Sequence, residues 1–137
     1  MRYLIDTNIF IRMANDSGFL SADVRTVIED YENIIFVSSE SIKEYIHLVQ
    51  SGKVEPQKTI ISTDIISFIE DTLGFNVKYA AKEHLLTFAK LPTIEGHNDP
   101  SDRLIIAQAI TEKIPLISSD KQFPKYRRYG LNFIPNY

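Results

Sequence analysis

Five acidic side chains fall where an α/β chain collects its functional groups. Asp6 directly follows the β-prone run Tyr3-Leu4-Ile5, and Asp120 closes the run Leu116-Ile117-Ser118. Asp99 and Asp102 open the helical pattern that precedes this second run, and Glu44 sits on the helix expected after Ile34 to Val37. Carboxylates brought together repel one another and partly protonate unless a cation compensates them, so their clustering implies metal. Oxygen ligands favour Mg²⁺ or Mn²⁺. Phosphodiester hydrolysis suits such a centre: one ion generates hydroxide from water, and a second, ~4 Å away, stabilises the leaving oxygen.

The elements that must position these groups alternate between strand and helix. Tyr3 to Ile5 reads as a strand, Asp6-Thr7-Asn8 as a helix cap, and Ile9 to Met13 as the helix. Asn15 to Gly18 breaks the pattern, and Val24, Val27, Ile28 and Tyr31 mark a second helix over Ala22 to Tyr31. Ile34 to Val37 is a continuous apolar run, as a strand buried on both faces would be, and Ser38-Ser39 opens a helix that Gly52 ends. After the polar Lys53 to Lys58 segment, a helix over Ile65 to Leu73, a strand at Asn76 to Lys78 and a helix over Ala80 to Ala89 follow. Pro100 at the first helical position, with Asp99 as cap, starts a helix that runs through Ile110. Lys121 to Gly130 reads as a basic, aromatic loop, and Leu131 to Ile134 as an edge strand closed by Pro135. This alternation predicts a parallel sheet between helical layers. In such sheets ligands bind beyond the carboxyl ends of the strands, where Asp6 and Asp120 stand.

With 137 residues, 44% hydrophobic and 24% charged, the chain has the size and composition of one folded domain, residues 1–137. The absence of cysteine excludes disulfides, thiolate zinc sites and cysteine nucleophiles, and suits a reducing cytoplasm. The acid at position 6 interrupts any signal-peptide apolar core, and no apolar run is long enough to span a bilayer. A formal charge of −3 argues against a general nucleic-acid coat protein. If the five acids surround metal, however, 15 basic side chains face 13 remaining acidic ones.

Asp6-Thr7-Asn8, Glu44 within Ser38 to Glu44, the stretch His97-Asn98-Asp99-Pro100-Ser101-Asp102-Arg103-Leu104-Ile105-Ile106-Ala107-Gln108-Ala109, and Ser118-Ser119-Asp120 together resemble the PIN domain. Within that family they most resemble the toxins of VapBC toxin–antitoxin modules. The resemblance covers almost the whole chain and rests chiefly on His97 to Ala109. It implies a three-layer α/β/α, Rossmann-like fold with a mainly parallel sheet of about five strands. It also implies a Mg²⁺- or Mn²⁺-dependent endoribonuclease, homodimerisation and inhibition by a cognate antitoxin. Asp6, Glu44, Asp102 and Asp120 match the family's acidic quartet, and Asp99 matches an additional acid. Ser118 matches a position usually held by Thr or Ser. The toxins commonly carry Phe where Ser101 stands and an aromatic residue where Lys43 stands, a departure that bears on subgroup rather than on metal.

Other roles remain open for several of these residues. Asp99 and Asp102 satisfy a helix cap and its dipole equally well, and Asp6 and Asp120 suit turns. Glu40, one turn before Glu44, can reach the same cleft. His84 and His97 are isolated and are expected at the surface or in hydrogen bonds. Lys121, Lys125, Arg127 and Arg128, interleaved with Phe123, Tyr126 and Tyr129, form either an RNA-binding loop or a solvated loop with aromatic packing. Asn8, Arg103 and Ser118 are candidates on the substrate side, and Arg12 and Arg103 could contact phosphate or antitoxin. The rivals are a DNA nuclease of the related 5′-nuclease group, for whose helical arch the chain lacks room, a PIN scaffold that binds RNA or protein without cleaving, and a Mg²⁺-binding phospho-acceptor domain. The last expects an acidic pair after the first strand, whereas Asp6 is followed by Thr7.

Overall fold

The computed structural model describes residues 1–15, 18–56 and 64–137. Parts of two sequence expectations, the break at Asp16-Ser17 and the end of the polar Lys53 to Lys58 segment, lie outside the described residues. The described elements are β1 (Arg2–Ile5), α1 (Thr7–Ala14), α2 (Ala22–Glu29), β2 (Ile34–Ser38) and α3 (Ser39–Gln50). The short α4 (Ile65–Ser67) runs into a π-helical turn (Phe68–Thr72) and is followed by β3 (Asn76–Lys78) and α5 (Lys82–Lys90). The chain ends with α6 (Pro100–Glu112), β4 (Leu116–Ser118), a 3₁₀ helix (Phe123–Tyr129) and β5 (Phe133–Pro135).

The strands form one five-stranded sheet in the order β3-β2-β1-β4-β5, and every pairing is parallel. Because side chains alternate across a strand, each inner strand feeds two cores. Leu4 and Leu116 pack with Leu91, Ile105, Ile106 and Tyr126 on one face of the sheet. Ile5 and Ile117 pack with Ile9, Phe10, Val37 and Tyr45 on the other. The result is the three-layer α/β/α arrangement that the alternation of elements predicts.

Three details differ from the sequence reading. The segment read as a basic loop is a 3₁₀ helix whose Phe123 and Tyr126 are fully buried. Those two rings belong to the core, so they cannot stack on RNA bases. The last strand starts at Phe133, later than expected, and carries Pro135 within it; its edge position tolerates the missing N–H. Finally, β2 is not buried throughout, since Ile34 at its start is 44% exposed.

Candidate active site

The sheet order makes the carboxyl ends of β1 and β4 the switch point of the fold. From β1 the chain winds outward to β2 and β3, then returns past β1 to β4 and β5. Connections therefore leave these two neighbouring strand ends in opposite directions, which opens a cleft between them. The register aligns Leu4 with Leu116 and Ile5 with Ile117, so Asp6 follows next to Ser118. The Asp6 N–H donates to the Ile117 carbonyl at 2.9 Å, and the Ser118 hydroxyl donates to Asp6 Oδ2 at 2.7 Å. Asp6 also caps α1, accepting the Thr7 N–H on Oδ1 at 2.7 Å.

The Ser118 hydroxyl serves the other acid as well, accepting the Asp120 N–H at 3.0 Å. Asp120 Oδ1 in turn accepts the Gln122 N–H at 2.8 Å. Ser118 was expected on the substrate side; it is fully buried, and its hydroxyl ties the two acids together. One layer out, Arg12 donates to Ser119 Oγ at 2.8 Å and to the Phe19 carbonyl at 2.9 Å. Asn136 donates to the same two oxygens. These contacts hold the Ser119-Asp120 turn, and they use Arg12 Nη1 within the protein.

Helix α6 runs back along the sheet toward the start of β4, so it begins at the carboxyl edge. Pro100 occupies its first turn and Asp99 caps it, accepting the Asp102 N–H at 3.1 Å. Asp102 thereby stands one turn inside, facing the cleft. Its carboxyl comes together with Asp120 and with a residue the sequence reading set aside, His97: one ligand atom from each lies within 4.8 Å of the others. His97 is not at the surface. It is 5% exposed, its Nδ1 lies 2.6 Å from the Tyr126 hydroxyl, and Nε2 lies 3.5 Å from Asp102 Oδ2. The signal that pointed to it was its place in the acidic segment, five residues before Asp102.

The electrostatics of this cleft are unbalanced. Burial pushes the Asp6 carboxyl up to about 7, with Asp102 and Asp120 adding to the rise against the opposing Ser118 bond. Burial and the neighbouring Asp99 push Asp102 up to about 6, opposed by His97. Acids held this way accept either protons or a cation. Two carboxylates and an imidazole within reach of one another, with a third carboxylate buried beside them, form a donor set that fits a divalent ion.

The other candidates lie around this centre. Glu44, with Lys43, His47, Asp99 and Ser101, lines an adjoining groove of ≈ 380 Å³. Glu40 accepts from Lys43 at 3.0 Å and from Ser101 at 3.4 Å, so both glutamates of α3 face the start of α6. Arg103 turns back to donate to the Leu91 carbonyl at 2.8 Å and lies over the Phe88 ring, bracing the segment before α6. Asn8 is exposed on the first turn of α1. Lys121, Arg127 and Arg128 are exposed too, each with its cation near an aromatic ring: Tyr137, Phe133 and Tyr129 respectively.

A family model described as PIN domain matches residues 3–129 of the chain. No curated protein matches it. Among solved structures, a chain of VapBC2 from Rickettsia felis bound to a DNA fragment from its promoter superposes with a TM-score of 0.67 and 19% identity, covering 98% of both chains. A chain of DNA-bound VapBC from Salmonella typhimurium gives 0.68 and 13%, covering 100% of this chain and 99% of that one. A toxin–antitoxin complex from Klebsiella pneumoniae gives 0.61 and 21%, covering 98% of both.

Proposed function

The chain belongs to the PIN-domain family, and on that premise we propose that it is a metal-dependent endoribonuclease, the toxin of a type II toxin–antitoxin pair. The observation that carries this reading is the uncompensated acidic cleft: Asp6, Asp102 and Asp120 converge at the switch point with two of them raised toward neutral pH. Asp102 and Asp120 would hold Mg²⁺ or Mn²⁺, with Asp6, Asp99 and Glu44 completing the acidic surround. A cation bound there supplies Lewis acidity and lowers the pKa of water for attack on phosphorus.

The protein's own groups do the rest. The Ser118 hydroxyl donates to the Asp6 carboxylate and accepts the Asp120 backbone N–H, so the two acids keep their spacing. The exposed Lys121, Arg127 and Arg128 beyond β4 would hold RNA phosphates, and Asn8 would meet the backbone at the start of α1. The full-length likeness to chains from VapBC structures supports an antitoxin partner. Exposed apolar side chains at Tyr79, Leu85 and Leu86 support a protein-covered face, which we read as the homodimer surface. Among the described residues no helix is long and apolar enough to cross a membrane. A site of action in the cytoplasm fits these assignments.

Incubating purified protein with total cellular RNA in Mn²⁺ or Mg²⁺, with and without chelator, tests the reading. Discrete fragments that vanish with chelator are expected. Intact RNA in every lane, despite measurable Mn²⁺ binding, would overturn the enzyme in favour of a binding scaffold.

A further inference from the structure

We propose that His97 is a direct ligand of the cation in this cleft, through Nε2, so that the centre has a mixed nitrogen and oxygen donor set. The inference rests on the metal-centre reading above and adds a residue outside the acidic set. Nε2 is buried, and among the described residues it makes no well-formed hydrogen bond, its near polar neighbour being Asp102 Oδ2 at 3.5 Å. A buried polar nitrogen in that condition is costly and calls for an occupant.

The geometry says what the occupant is. Donors around an octahedral ion at 2.0–2.1 Å lie about 3 Å apart when adjacent and about 4 Å apart when opposite. The 3.5 Å between Nε2 and Asp102 Oδ2, and the 4.8 Å that bounds the whole triad, need only a small closure to reach those spacings.

The ring is also aimed from behind. Ile94 to His97 is a turn closed by the His97 N–H to the Ile94 carbonyl at 3.1 Å, with Gly96 at φ 84° where other residues are strained. The imidazole then stands edge-on to Phe123 and Tyr126, with Nδ1 engaged by the Tyr126 hydroxyl. That arrangement, with the far nitrogen anchored and the near one turned toward the carboxylates, is how ligating histidines are held. Coordination by Nε2 places the ring proton on Nδ1, which donates it to Tyr126.

An imidazole nitrogen suits a first-row transition ion better than Mg²⁺, and of the two ions proposed above Mn²⁺ is the paramagnetic one. The test is pulsed EPR on Mn²⁺ bound to the full chain carrying ¹⁵N-histidine. Wild type should show a ¹⁵N hyperfine coupling. His97→Gln should lose it while binding Mn²⁺ roughly 10–100-fold more weakly, and His47→Gln, altered in the adjoining groove, should keep it. Bound Mn²⁺ with no coupling in wild type, a measurement that needs no variant to fold, overturns the ligand assignment and leaves the acidic centre standing. Coupling that persists in a folded His97→Gln overturns it as well. Failure of wild type to bind Mn²⁺ overturns both the ligand and the centre.

Discussion

Two parts of this molecule combine histidine with acid and reach opposite electrostatic outcomes. On the flank of the sheet, Glu112 at the end of α6 accepts Lys78 Nζ at 3.2 Å and lies 3.0 Å from His84 Nε2. The Ala81 N–H donates to His84 Nδ1 at 3.0 Å, which leaves the ring proton on Nε2 to donate to Glu112. Both ring nitrogens of His84, both oxygens of the Glu112 carboxylate and Lys78 Nζ are partnered there, and the His84 bond with Lys78 beside it holds the Glu112 carboxyl below its ordinary value. Ten residues earlier on the same helix, roughly 15 Å away at 1.5 Å per residue, Asp102 and Asp6 are pushed up, and His97 Nε2 has Asp102 Oδ2 beside it only at 3.5 Å. The first cluster balances its charges within the chain; the second, on the function proposed above, is balanced by a cation. That difference separates an ionic network that holds the fold from one to which we assign the chemistry.

The sharpest way to break this contrast is to neutralise one acid of the cleft. Asp102→Asn is close to isosteric and relieves repulsion. RNA cleavage should fall by at least about 10³-fold, roughly 4 kcal/mol of barrier, while the melting temperature of the metal-free protein holds or rises. A folded Asp102→Asn with wild-type cleavage rates would remove the cleft from the mechanism.

Next in size is the pH dependence of metal-free stability. A carboxyl whose folded pKa lies above its unfolded value binds more protons in the folded state, so stability is full in acid and declines as pH rises. For Asp6, raised from 3.8 to about 7, the decline runs across that interval. About three units at 1.36 kcal/mol each give at most roughly 4 kcal/mol. Asp102 adds to the slope up to about pH 6. Denaturant melts from pH 4 to 8 in chelator should show it, and Asp6→Asn, which preserves a competent helix cap, should flatten it. Saturating Mn²⁺ should reverse the slope, because metal binds the deprotonated acids. A chelated wild type whose stability rises over this range would contradict the assignment.

The sequence shows the scaffold of the cleft more readily than its completion. Asp6, Asp120 and the Asp99-Pro100 cap are visible because each is set by local rules, a strand end or a helix start. Sheet register then brings the acids together without further information, since Asp6 and Ser118 follow the paired Ile5 and Ile117. What local rules cannot reach is partnership across the chain. His97 looks isolated because its neighbours are Asp102, Asp120 and Tyr126, the last 29 residues away. The basic segment leaves two readings open in the sequence for a related reason. Lys121, Lys125, Arg127 and Arg128 suit RNA or solvent equally, whereas the interleaved Phe123 and Tyr126 are claimed by a core built mostly from other segments. Asn136 escaped notice likewise, its partners Ser21, Phe19 and Ser119 being distant in sequence.

The smallest expected effect tests the other side of the contrast. Glu112→Gln keeps one acceptor but loses the charge that serves both Lys78 and His84. At pH 7 it should lower stability by about 1–2 kcal/mol, a typical figure for partly buried charged hydrogen bonds, or roughly 3–7 °C in melting temperature for a chain of this size. The sign with pH is opposite to that of the cleft. A carboxyl held below its unfolded pKa contributes stability above that pKa, and the contribution disappears as pH falls through the folded value. The gap between wild type and Glu112→Gln should therefore close in acid, where the chelated cleft is at its most stable. Mn²⁺ affinity and RNA cleavage should stay within about twofold, as additivity of distant sites requires. If Glu112→Gln instead weakened Mn²⁺ binding as His97→Gln is expected to, the two clusters would be coupled through α6, and the division between a structural network and a chemical one would fail.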